Sequence, residues 1–206
     1  TCGNCLTHVR ATIGATAGAS IAGVDLRQRE VRVTVRDAAS LADLQHRLAD
    51  EGYPATVRAS GGTAGTVSIS ATDDTVVGGS IDATSSLGRG GIVTVEGDTV
   101  AVGHAARIDA SGATGGGDIR IGGGFQGRDE TVRNASTLRI DDGAAIVADA
   151  LSSGVGGNII LWSDGATAFA GSLSARGVEK GGFAEISGKD TLDITGSVDL
   201  AGASGI

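Results

Sequence analysis

Five segments of this chain, GTVSIS, GIVTVEG, GDIRIGG, GNIILWS and GFAEISG, begin at Gly65, Gly91, Gly117, Gly157 and Gly182. The spacings between them are 26, 26, 40 and 25 residues, and no other feature constrains the fold as tightly. Each is followed by a short apolar alternation (DTVVGG, DTVAVG, STLRIDDG, ATAFAG, DTLDITG) and then by another (GGSIDATS, AARIDASG, AAIVADAL, GSLSARG, GSVDLAG). The last set places Ile81, Ile108, Ile146, Leu173 and Val198 at equivalent core positions. The unit therefore reads as three short strands separated by Gly, Asp, Ser and Thr turns. The 40-residue interval holds an insertion around FQGRDETVRNAS.

Short strands recurring at this interval with no helix between them indicate a β-solenoid. Alternation puts Val, Ile, Leu and Ala inside and Asp, Thr, Ser and Arg outside. Gly and Asp are expected at corners where the backbone turns through positive φ. One coil cannot bury its own apolar face, so the stack is the folding unit. A β-sandwich would want larger inward side chains and proline in its loops, whereas this chain has one Trp, one Tyr, three Phe and one Pro among 206 residues.

The composition changes abruptly near residue 60. Residues 1–60 carry seven Arg, no Lys, six acidic residues and five glycines. Residues 61–206 carry nine basic against eighteen acidic residues and thirty-one glycines. Two domains are expected, 1–58 and 61–206. The acidic second part repels phosphate, which argues against nucleic acid and anionic membrane as partners. No run of about eighteen apolar residues offers a transmembrane helix. The chain opens inside a motif with no initiator Met, so it is expected to be a fragment whose last coil is left uncapped at Ile206.

The first domain opens with TCGNC, which places Cys2 and Cys5 at a spacing used for soft metals or for redox chemistry. Leu6, Val9 and Ile13 follow at helical spacing. The stretch IAGVDL, a turn at RQRE and the alternating VRVTV indicate a hairpin. Ser40 with Asp43 can cap a second helix carrying Leu41, Leu44 and Leu48, which Gly52 and Pro54 end. ATV at 55–57 reads as one more strand. The order is α–β–β–α–β, with His46 facing solvent and Tyr53 serving as a core aromatic.

With TCGNC at its start and Glu51-Gly52-Tyr53 after the second helix, this order resembles the heavy-metal-associated domain, an α+β ferredoxin-like fold. The strand that precedes the motif in that family is absent here, as is the motif's Met. The resemblance implies that Cys2 and Cys5 are the metal ligands and that Tyr53 packs beside the metal loop. Thiols at a helix N-terminus gain from its positive dipole end. Two sulfurs at this spacing suit one Cu(I) or Hg(II) ion better than tetrahedral Zn, which needs two further ligands. A thioredoxin-like pair would require a longer fold and a proline loop facing the thiols. A small idle or oxidised cysteine pair is the bland alternative.

In the second domain, ADALSSGVGGNIILWSDGATAFAGSLSARGVEKGGFAEISGKDTLDITGSVDLAG and RIDASGATGGGDIRIGGGFQG resemble exported repeat proteins of the filamentous haemagglutinin type. That resemblance implies a right-handed parallel β-helix preceded here by the small truncated domain. It also implies secretion or cell-surface display, an outer-membrane secretion partner, and adhesion to a host-cell or matrix surface, glycan included.

Other motifs are weaker. GGGDIRIGGG lacks the Gly-Lys-Ser/Thr and the helix of a phosphate loop, and it is not the tandem calcium nonapeptide. Asp73-Asp74 and Asp141-Asp142 offer carboxylate pairs but sit where turn Asp is expected. His104 has no nucleophile or acid partner in its segment. Trp162 alternates with Ile160 and is either part of a ligand surface or a stacking residue. No catalytic constellation or cofactor site emerges in the repeat. The favoured function is a non-catalytic structural and adhesive segment of an exported β-helix that carries an N-terminal soft-metal-binding module. The alternative is a Cu(I) or Hg(II) binding or transfer protein, cytoplasmic or periplasmic, with a metal donor or acceptor partner and an accessory or artefactually fused repeat.

Overall fold

The computed structural model describes residues 3–25, 30–35, 43–44, 46–48, 50 and 64–202. The chain divides into two compact units, Thr1–Arg58 and Ala59–Ile206.

The first unit contains helix α1 (Gly3–Ala15) and an antiparallel pair, β1 (Ala19–Asp25) with β2 (Glu30–Val35). After the last turn of α1, Gly18 takes φ 81, a left-handed conformation that glycine adopts without Cβ strain, and the chain turns into β1. The pairing register shifts between Ile21 and Gly23, a bulge next to a glycine. Ile13 from α1 is buried with Leu44 and Leu48, and Val9 and Ala19 pack against them. The apolar stripes anticipated on the two helical segments therefore meet in one small core. His46 is exposed and lies 3.0 Å from Asp50. Ser40, Gly52, Tyr53, Pro54 and the expected strand at 55–57 lie outside the described residues.

The second unit is a β-solenoid of five coils. The first coil contains β3 (Thr66–Ser70), β4 (Asp74–Val77) and β5 (Ser80–Asp82). The second contains β6 (Ile92–Glu96), β7 (Thr99–Val102) and β8 (Arg107–Asp109). The third contains β9 (Asp118–Ile121), β10 (Thr137–Ile140) and β11 (Ala145–Val147). The fourth contains β12 (Asn158–Ser163), β13 (Ala166–Phe169) and β14 (Ser172–Ser174). The fifth contains β15 (Phe183–Gly188), β16 (Thr191–Ile194) and β17 (Ser197–Asp199). Every strand pairs in parallel with its counterparts in adjacent coils, giving three five-stranded sheets.

The registers follow the repeat. In the first sheet Val67 pairs with Val93, Val93 with Ile119, Ile119 with Ile159 and Ile159 with Ala184. In the third, Ile81, Ile108, Ile146, Leu173 and Val198 form one continuous column. The interior is a thin stack in which Phe169 is the only aromatic of the buried cluster. Each fully buried Ile or Leu contributes about 1.5–3 kcal/mol by leaving water.

Two expectations about this repeat need correction. The alternation predicts Thr and Ser outside, yet Thr75 and Thr167 point into the interior columns and are buried, as is Ser163. The threonine hydroxyls are satisfied across coils: Thr75 Oγ1 donates to the Glu96 carbonyl at 2.6 Å and Thr167 Oγ1 to that of Ser187 at 2.8 Å. A hydroxyl bonded to the next coil's backbone avoids the penalty of a buried unpaired group.

The second correction concerns the glycines that open each copy. They are not positive-φ corners; the left-handed glycines are elsewhere. A Cβ on Gly91 would fall on the Gly65 carbonyl oxygen, and one on Gly117, Gly157 or Gly182 would fall on the carbonyl of the corresponding glycine in the preceding coil. The requirement is close backbone approach between stacked coils. The corner aspartates do not turn through positive φ either, since Gln126 is the only non-glycine among the described residues that does. Asp82, Asp109 and Asp199 instead hold their corners by accepting from the backbone N–H two residues on.

Candidate functional site

Cys5 lies in the first turn of α1, and Cys2 lies outside the described residues. Helix formation from Gly3 onward places one of the two thiol residues where the dipole favours a thiolate, so the donor type suits a soft cation.

The carboxylate pairs are not brought together. Asp74 opens β4 in the first coil, while Asp141 follows the last residue of β10 two coils away. Asp141 is engaged by Arg139 at 2.6 Å. The Asp73 carbonyl accepts the Asp98 N–H at 2.7 Å, as a turn residue does. His104 lies with Nδ1 against the Asp142 carbonyl, beside Gly143, whose φ of 81 brings its backbone under the ring. These groups are parts of corners. GGGDIRIGGG runs through β9 and is followed by a single 3₁₀ turn at Phe125–Gly127, not by the α-helix a phosphate loop needs.

The notable local chemistry lies on the outer face of the first sheet. Between β9 and β10 the chain leaves the coil for residues 122–136, including a single 3₁₀ turn at Phe125–Gly127, where the preceding coil needs only two residues to turn. This insert folds back against the sheet. The Arg133 N–H donates to Glu96 Oε1 at 2.8 Å, and its guanidinium donates to the carbonyls of Ala71 and Thr72 at 3.1 and 2.8 Å. Asn134 Nδ2 donates to Asp164 Oδ1 at 3.2 Å and to the Gly127 carbonyl at 2.9 Å. The Gln126 N–H donates to Glu185 Oε2 at 3.0 Å. The insert of the third coil is thus tied to all four other coils.

Trp162 is the platform for this insert. It faces outward from β12, as its alternation with Ile160 indicated, but its ring is covered. A Cβ on Gly127 would lie 2.5 Å from Cε2 of the indole, and one on Gly123 would lie 2.7 Å from Cδ1. Trp162 Nε1 donates to Asp164 Oδ1 at 3.1 Å. Structure therefore decides between the two readings of this residue in favour of stacking. Ile160, also outward-facing, is only 6% exposed.

Beside the covered strip lies an open groove of about 380 Å³ lined by Asp118, Arg120, Phe125, Asp129, Asn158 and Phe183, with Ile160 at its floor. Phe125 and Phe183 meet edge-to-face with ring centroids 5.8 Å apart. Asn158 Nδ2 donates to Asp118 Oδ1 at 2.7 Å, Arg89 pairs with Asp118 at 3.2 Å, and Arg120 lies 3.8 Å from Asp129. The Thr131 hydroxyl and N–H, and then the Arg120 charge, hold the Asp129 carboxyl below the ordinary aspartate value. Sequence reasoning located the insertion but not this groove. The available signal was FQG inside the insertion together with Phe183 at an outward position of a repeat almost devoid of aromatics.

No protein family and no curated protein sequence matches the chain. Among solved structures it is similar to the HMW1 secretion domain from Haemophilus influenzae, with a TM-score of 0.49 and 24% identity over 66% of this chain. The match covers 44% of that structure's chain, so this chain spans less than half its length. No helix among the described residues is long and apolar enough to cross a membrane.

Proposed function

We propose that residues 61–206 are a non-catalytic structural and adhesive segment of an exported β-helix protein of the filamentous haemagglutinin type. It acts outside the cell or at its surface, is delivered by an outer-membrane secretion partner, and touches a host-cell or matrix surface. The observation that carries this reading is the stack itself: five coils in unbroken parallel register around a thin apolar interior. Such a stack extends by adding coils and presents a regular outer surface, which suits display and spacing. The titratable groups that the sequence offered for catalysis are held apart in separate corners. Surface proteolysis and fractionation of cells carrying the native reading frame, followed with an antibody to residues 61–206, tests the reading. Exposure at the surface or in the medium is expected. Retention inside intact cells overturns it.

A second reading rests on Cys5 in the opening turn of α1. In it, Cys2 and Cys5 take one Cu(I) or Hg(II) ion from a donor protein, and the compartment is cytoplasmic or periplasmic. Stoichiometric binding lost in Cys2→Ser supports it, and binding that survives Cys2→Ser and Cys5→Ser removes it.

A further inference from the structure

We infer that the groove between the insert and the first sheet binds a neutral sugar, of about disaccharide size. The proposal deepens the adhesive reading above by giving it a ligand class and a place.

Four observations carry it. First, the exposed aromatics of the solenoid converge here. Phe125 is 50% exposed and Phe183 45% exposed, and they come from positions 58 residues apart. The remaining Phe is in the core and the Trp is under the insert. The edge-to-face contact takes up part of one ring face, but both rings stay half exposed, and the negative face of an aromatic ring attracts the positive C–H groups of a sugar. Second, planar polar side chains surround the rings. Asn158 and Arg120 supply N–H donors, and each Asp118 oxygen keeps a second lone pair after its contacts to Asn158 and Arg89. Sugar hydroxyls, which both donate and accept, match such a mixed set. Third, the charges are paired, Asp118 with Arg89 and Asp129 with Arg120, so the groove has little net charge to attract an ion. Fourth, the floor is a sheet face whose strands β9 and β12 are paired on both sides, leaving no backbone edge for a peptide strand to extend. The volume lies in the range of small-molecule sites and exceeds what one water or ion needs.

The test uses the purified 206-residue chain with maltose, lactose and cellobiose, followed by saturation-transfer NMR and titration calorimetry. Binding of at least one of them with a Kd on the order of 1 mM is expected. Phe125→Ala and Phe183→Ala should each weaken it roughly tenfold or more. Phe183→Trp should preserve or tighten it. Both Phe side chains are half exposed, so far-UV circular dichroism and melting temperature should be retained; Arg120→Gln provides an independent loss of affinity without disturbing either ring. Absence of saturation transfer at about 10 mM of all three sugars overturns the proposal. So does affinity indifferent to both Phe→Ala changes, or preference for glucuronic acid over the neutral sugars. Concentration-dependent dimerisation abolished by Phe183→Ala would assign the groove to a second copy of the chain and equally overturn it. Because the measurement is made on purified protein, it stands or falls separately from the localisation experiment.

Discussion

At the scale of single residues, the repeat is governed by what the backbone of the neighbouring coil leaves room for. Gly117 and Gly79 illustrate this. A Cβ on Gly117 would fall on the Gly91 carbonyl, whereas one on Gly79 meets nothing within 4 Å. Gly117→Ala is therefore expected to destabilise the solenoid by about 2 kcal/mol or more. Gly79→Ala is expected to be neutral or stabilising by about 0.4–1 kcal/mol, because it restricts the unfolded chain without a clash. Urea denaturation of the two variants checks the contrast, and equal losses would refute the close-approach account. The periodic glycines were plain in the sequence, but their reason was not. Periodicity reports that a position excludes a side chain; only stacking shows whether φ or space excludes it.

At the scale of elements, the insert at 122–136 is the piece that departs from the repeat, and its docking is a separable event. Trp162→Ala removes the surface against which Gly123 and Gly127 pack. Trypsin is then expected to cleave at Arg128 or Arg133 while far-UV circular dichroism stays unchanged. Resistance equal to the parent chain would show that the ties of Arg133 and Asn134 suffice alone. Trp162 is also the sole tryptophan, so its emission reports insert docking. The folded Asp129 carboxyl lies below the ordinary aspartate value, chiefly through Thr131 and then Arg120. Its contribution is therefore complete at neutral pH and is lost as pH falls through that depressed value. Emission should stay constant from neutral pH into the mildly acidic range and shift red only under stronger acid. Asp129→Ala should show part of that shift already at neutral pH, and an emission insensitive to both changes would contradict this role. The sequence marked the insertion by a lengthened interval, yet the Phe125–Phe183 meeting was invisible in it. The two rings are brought together by the return of the chain two coils later, a distance no local pattern encodes.

At the scale of the whole molecule, stability is a sum over coils and the interfaces between them. Ile146 is fully buried in the third coil, with Ile108 on one side and Leu173 on the other. Ile146→Ala should cost about 2–5 kcal/mol in denaturant titration and weaken amide protection in β8 and β14 as well as in β11. Val198 in β17 is 46% exposed and pairs on one side, so Val198→Ala should cost less than about 1 kcal/mol. Similar losses at both sites would argue against a stacked, nearest-neighbour architecture. By itself the sequence determined the coil count, the three strands per coil, the strand registers and the column from Ile81 to Val198, because parallel stacking makes the spacing of a repeat equal to its register. It also located the first helix through the period of Leu6, Val9 and Ile13, although that helix begins earlier, at Gly3. Only the tertiary structure decided that Thr75 and Thr167 turn inward, that Trp162 serves the insert, and that an aromatic groove opens beside it. Those outcomes depend on which atoms of other coils lie within hydrogen-bonding or van der Waals distance, and such contacts exist only once the stack has formed.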